Sequence, residues 1–106
     1  VLGVAYKRDV SDMRESPALD VIGLLHQRKG AVSYHDPHVP GFDYLDRAWR
    51  SVELSEGLLR AQDVVVILTN HSRLDVGWIV AHAPLVFDAR TATAQLDARP
   101  GHVEVL

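Results

Sequence analysis

The chain has 106 residues, 47% of them hydrophobic and 24% charged, and a formal net charge of -3. That length suits one compact domain with its own core, and the slight acidity excludes a general field that would gather nucleic acid or an anionic membrane. The absence of cysteine removes disulfides, thiolate metal sites and a cysteine nucleophile, and points to a cytoplasmic protein.

The chain opens without Met, inside an apolar run, so a piece of a longer protein is expected. Val1 to Ala5 is short, apolar and β-branched, which predicts a buried strand. A polar stretch from Lys7 to Glu15 follows. Ser16 then suits a helix N-cap, with Pro17 at the first helical position and Asp20 in the first turn. Ala18, Val21, Ile22 and Leu25 recur at helical spacing and form one buried face. Arg28 and Lys29 close the helix, and Gly30 is the expected left-handed stop. Ala31 to His35 reads as a second strand, ended by Asp36-Pro37. Strand, helix and strand form a βαβ unit whose strands should run parallel.

His38 to Tyr44, with Pro40 and Gly41, reads as loop. Trp49 to Leu54 predicts a short strand, and Ser55 to Ala61 a short helix capped by Ser55. Asp63 to Thr69 is the strongest strand, because five consecutive aliphatics from Val64 to Leu68 suit a strand covered on both faces. No apolar run approaches the length needed to span a bilayer, and no signal-peptide pattern is present. Leu74 to His82 predicts a helix, Leu85 to Phe87 a buried strand ending at Asp88, and Val103 to Leu106 an edge strand. The expected fold is α/β: a Rossmann-like, doubly wound, mostly parallel sheet of five to six strands. Helices on both faces would make a three-layer sandwich, with residues 1–106 as a single domain.

In such sheets ligands sit outside the carboxyl ends of the strands. Three ends carry suitable chemistry: Tyr6-Lys7, Thr69-Asn70-His71 and Asp88-Ala89-Arg90. Lys offers a phosphate a compact charge, Arg a planar fork, and Tyr a surface for a base or sugar. The glycine-rich turn of a dinucleotide site is missing, since Tyr6, Lys7 and Arg8 occupy that turn. NAD in its usual pose is therefore not expected here. His35 and His38 share one loop, but a zinc site wants at least three protein ligands, so no metal is predicted. Asp36 reads as a strand-end residue accepting backbone hydrogen bonds. His71 reads as a polar rim residue, and Trp49 and Trp78 as packing residues.

These residues resemble the C-terminal, nucleotide-sugar-binding domain of the UDP-glucose/GDP-mannose dehydrogenases. The matching pieces are Leu2-Gly3-Val4-Ala5-Tyr6-Lys7, Asp12-Met13-Arg14-Glu15-Ser16-Pro17, Tyr34-His35-Asp36-Pro37, Asp63 to Thr69 and Phe87-Asp88-Ala89-Arg90. Within the family the chain looks most like enzymes acting on UDP-N-acetylhexosamines. The resemblance implies an enzyme that oxidises the sugar C6 alcohol of a nucleotide sugar to a carboxylate in two NAD-dependent steps. It further implies that NAD and a catalytic cysteine belong to an N-terminal domain absent from this sequence. A central helix, also absent, would join the two domains and mediate homodimerisation. Lys7 and Arg90 match substrate-site positions, Tyr6 matches an aromatic position beside the ligand, and Arg14 matches a position that can reach NAD across the cleft. No catalytic residue is expected in this stretch, so alone it should be inactive.

Two other readings compete. A receiver-type signalling domain would use Asp9, Asp12 and Thr69, but it needs an acceptor Asp and a Lys where the chain offers Glu53 and Arg90. A free-standing nucleotide-binding regulatory module would lack the upstream NAD motif and cysteine.

Overall fold

The computed structural model describes residues 1–106. Helix α1 spans Ala18–Gln27. Strands β1 (Gly41–Tyr44) and β2 (Arg47–Arg50) pair antiparallel. Helix α2 (Glu56–Arg60), strand β3 (Val65–Ile67), helix α3 (Val76–His82) and strand β4 (Val86–Asp88) follow. A short 3₁₀ turn at Ala92–Gln95 leads to the edge strand β5 (Val103–Val105).

Strands β3, β4 and β5 form a parallel sheet in that order. The expected five to six strands are thus three, plus a separate antiparallel pair. The first two predicted strands survive only as parallel bridges, Leu2 to Ile67, Leu2 to His35 and Tyr34 to Ser51. Gly3 explains the shortening. It adopts φ 83, and a Cβ there would lie 2.6 and 2.7 Å from the Thr69 backbone O and N. The chain leaves extended geometry at Gly3, and the amides of Val4 and Ala5 turn to the Asp36 side chain instead of a neighbouring strand.

Successive strand residues face opposite sides of a sheet. Val65 and Ile67 point into one core with Leu59, Val76, Ile79 and Val80 of α2 and α3. Val66 and Leu68 point into the other, with Ala18 and Ile22 of α1, Tyr34 and Trp49. Helices therefore cover both faces. A ten-residue helix is marginal in water, so α1 depends on this packing; full burial of Ile22 contributes about 1.5–3 kcal/mol. On the α1 side the sheet is only partly covered. Val64 and Phe87 remain more than a third exposed, beside an apolar groove that ends at Arg90.

Two local expectations change. Lys29, with φ 65, takes the left-handed position at the end of α1 that was expected of Gly30. Residues 41–44 are strand and not loop. The β1–β2 hairpin closes on Leu45-Asp46, both at positive φ (54 and 57), the geometry of a tight two-residue turn without its usual Asn-Gly signature. Trp49 is buried against this hairpin, with Arg47 stacked on its ring and Nε1 donating to the Tyr44 carbonyl. Ser55 caps α2 as expected, its hydroxyl accepting from the Leu58 amide at 3.0 Å.

Candidate functional site

The loops that follow Ala5, β3 and β4 meet at one lip of the sheet. Arg90 joins them: its Nε donates to the Leu68 carbonyl at 2.7 Å and its Nη2 to the Tyr6 carbonyl at 3.5 Å. The hydroxyl of Thr69 donates to the Ala5 carbonyl at 2.8 Å, and that of Ser16 reaches the same oxygen at 3.4 Å. Ser16 also accepts from the Ala18 amide at 3.2 Å, so the hydroxyl links the helix start to the lip. Lys7 is exposed beside Tyr6, itself a 45% exposed residue. The Arg90 guanidinium and the Tyr6 backbone thus meet at this lip, with Lys7 next along the chain. The lip is open, and the concave surfaces nearby are apolar.

Arg14 makes no hydrogen bond to that trio. Its guanidinium makes its hydrogen bonds to Asp12, at 2.9 to 3.3 Å, and its side chain is 89% exposed. These hydrogen bonds hold the Asp12 carboxyl down at about 2. The turn at residues 6–8 does not fit a dinucleotide pyrophosphate, because the Tyr6 amide is committed to the Asp12 carbonyl at 2.7 Å.

Beneath the lip lies a buried network that sequence patterning does not reveal. Asp36 Oδ2 accepts from the amides of Val4 (2.8 Å) and Ala5 (3.3 Å) and lies 2.9 Å from His71 Nε2; Oδ1 accepts from the His38 amide at 2.8 Å. The expected role of Asp36 as an acceptor of backbone hydrogen bonds is met. His71 is not a rim residue: it is fully buried, and its Nδ1 accepts from the Asp9 amide at 2.9 Å. That acceptance leaves the ring proton on Nε2, aimed at Asp36. Asp9 Oδ1 in turn accepts from the Ser72 amide at 2.7 Å, a bond that, with the others around it, lowers its pKa. Asp9 and Glu15 both hold φ 61, a conformation costly for a side-chain-bearing residue unless neighbours enforce it. The loop carrying Lys7 is therefore clamped at both ends. A histidine after an aliphatic strand gives no sign of burial, which is why residue type and position alone misplace it.

At the other end of the lip, Asp88 is buried and accepts from the amides of Arg90, Ala92 and Thr93 and from the Thr93 hydroxyl, at 2.6 to 3.0 Å. Burial pushes its pKa up, but these donors, the Thr93 hydroxyl foremost, outweigh it and leave the pKa lowered. His35 and His38 do not converge. His35 Nδ1 pairs with the Val52 carbonyl at 2.7 Å, while the His38 ring lies against His71. Thr69, which a receiver domain would need as a movable hydroxyl, is buried and bonded.

The profile of the UDP-glucose/GDP-mannose dehydrogenase family, UDP binding domain, matches residues 1–95. A UDP-N-acetyl-D-mannosamine dehydrogenase from Methanococcus aeolicus is 35% identical over 72 residues, covering 68% of this chain and 15% of its own length. An NDP-N-acetyl-D-galactosaminuronic acid dehydrogenase from Ralstonia nicotianae is 34% identical over 74 residues, 67% of this chain and 17% of that protein. Among solved structures, the UDP-N-acetyl-mannosamine dehydrogenase Cap5O from Staphylococcus aureus aligns with a TM-score of 0.67 at 28% identity, over 98% of this chain and 24% of that one. A UDP-D-ManNAc dehydrogenase from Pyrococcus horikoshii aligns with a TM-score of 0.70 at 24% identity, over 98% of this chain and 24% of that one, a likeness of fold. The chain spans 15–17% of the length of these two sequence relatives.

Proposed function

Because the chain belongs to the UDP-glucose/GDP-mannose dehydrogenase family, we propose that it is the nucleotide-binding part of an NAD-dependent nucleotide-sugar 6-dehydrogenase. The reaction is oxidation of the sugar C6 alcohol to a carboxylate. The observation that carries this reading is the lip where Arg90 spans the Leu68 and Tyr6 carbonyls beside Lys7. A diphosphate needs a point charge and a planar donor fork on the same side. Lys7 supplies the first and Arg90 the second, while the exposed Tyr6 ring offers a surface to the base or sugar. The substrate class is a UDP-N-acetylhexosamine, in keeping with the names of the relatives.

The remaining parts belong to chain outside these residues. The committed Tyr6 amide and the crowded turn leave no cradle for NAD here, so an N-terminal domain would hold it, with Arg14 reaching toward it from the exposed loop. That domain would also supply the nucleophilic cysteine that this chain lacks, and a central helix would join the halves into a homodimer. The compartment is the cytoplasm. No helix of the chain is long and apolar enough to cross a membrane.

Titration of the ¹⁵N-labelled chain with UDP tests the reading. Millimolar UDP should move the amide signals of Tyr6, Lys7 and Arg90, and Lys7→Ala should remove most of that response without disturbing the rest of the spectrum. If neither UDP nor GDP shifts those loops, the reading is wrong.

A further inference from the structure

We propose that Asp9, His38 and His71 form a binding site for one divalent transition-metal ion of zinc type, beneath the nucleotide lip and independent of it. Three loops bring the groups together: Asp9 from the cationic loop, His38 after Asp36-Pro37, and His71 after β3. Their ligand atoms all lie within 4.8 Å of one another. Asp9 Oδ1 is 3.8 Å from both His38 Nε2 and His71 Nδ1. Tetrahedral zinc with bonds of about 2.1 Å sets its ligands about 3.4 Å apart, so the two distances from Asp9 close with a few tenths of an ångström, while the two imidazole nitrogens, within 4.8 Å of each other, draw together by up to about 1.4 Å.

Three further features point to an ion. His38 Nε2 is a buried ring nitrogen with no hydrogen-bond partner, a state that costs stability unless something occupies it. His71 is already in the required tautomer, with Nδ1 unprotonated on the side of the cluster and Nε2–H held by the Asp36 carboxylate at 2.9 Å. A carboxylate behind a histidine is the arrangement that orients metal-bound imidazoles. Asp9 is exposed, which provides an entry path and an anionic ligand at its mouth. The Asp9 amide now uses the His71 Nδ1 lone pair. An incoming ion replaces that bond, and the amide, in an exposed loop, turns to water. Two imidazoles and one carboxylate with a fourth position left to water suit Zn²⁺, Co²⁺ or Ni²⁺ and not Mg²⁺ or Ca²⁺.

Titration of the metal-stripped full chain with Co²⁺ tests the site, read by the visible d–d bands and by calorimetry. One equivalent should bind, Zn²⁺ should bleach the bands, and Zn²⁺ should raise the melting temperature. His38→Gln changes a half-buried ring whose Nε2 has no partner, so the variant should fold and lose both the bands and the Zn²⁺ shift. Asp9→Asn keeps an acceptor for the Ser72 amide and should weaken binding. Lys7→Ala should leave Co²⁺ binding intact while removing the UDP response, which separates this site from the nucleotide site. Absence of d–d bands, or bands unchanged in His38→Gln, overturns the proposal and leaves the cluster as a clamp made of hydrogen bonds alone.

Discussion

Asp36 and Asp88 sit at the carboxyl ends of two parallel segments of one sheet, and each is buried with four hydrogen bonds on its carboxylate. The donors of Asp88 all lie within five residues of it. Three of the four donors to Asp36 lie 31 to 35 residues away, in two other loops. The same chemistry thus serves two purposes. Asp88 shapes a single turn and presents Arg90. Asp36 binds three loops together and so reports on assembly of the whole lip.

The largest break in this comparison is Asp36→Ala. It leaves two buried amides and the His71 ring without an acceptor, and should lower stability by about 3–5 kcal/mol. Against a typical total of about 5–15 kcal/mol, that loss brings the chain close to unfolding, as urea denaturation would read. Asp88→Asn keeps one acceptor and disturbs one turn, so a loss of about 2 kcal/mol is expected.

The Asp88 variant also sharpens the comparison through pH. The folded pKa of Asp88 is lowered, so the unfolded chain takes up its proton first as pH falls. The stability it contributes is complete above the unfolded carboxyl pKa of about 3.9 and is lost as pH drops through the lower folded value. The gap between the parent and Asp88→Asn should narrow below about pH 4. A gap that stays constant to pH 2 would show that the carboxylate charge is not what the four donors read.

Arg14→Ala is the smallest break. It removes an exposed pair with Asp12, and such pairs contribute little to stability. The melting temperature should not move, while the Asp12 carboxyl, now held at about 2, should return toward the ordinary range when followed by carboxyl NMR. A large drop in melting temperature would mean that the loop depends on this pair as it does on Asp9 and His71.

The scale of the contacts also decides what the sequence discloses. The strand-end rule applied to Tyr6-Lys7 and Asp88-Ala89-Arg90 was enough to bring the two loops together, because it needs only strand order. Ser55 is legible because its partner lies within one turn, and the α1 face because its helical spacing is local. The extent of the sheet is not legible: Gly3 looks like an ordinary residue of an apolar run until the Thr69 backbone is seen against it. The hairpin at residues 41–50 escapes because Leu45 and Asp46 give no turn signal for the conformation they hold. His71 escapes because its burial depends on Asp36, 35 residues upstream.

The Arg90 guanidinium is fixed before any ligand arrives, by the Leu68 and Tyr6 carbonyls. A free arginine gives up about 2 kcal/mol of rotamer freedom when it is immobilised. Here that entropy is surrendered on folding, so under the proposed function an arriving anion would meet a fork already held in place, whereas Lys7 would still have to be stilled on contact. Capture at this lip should therefore weaken with warming chiefly through the lysine arm, the arginine arm holding its aim until the protein itself begins to melt.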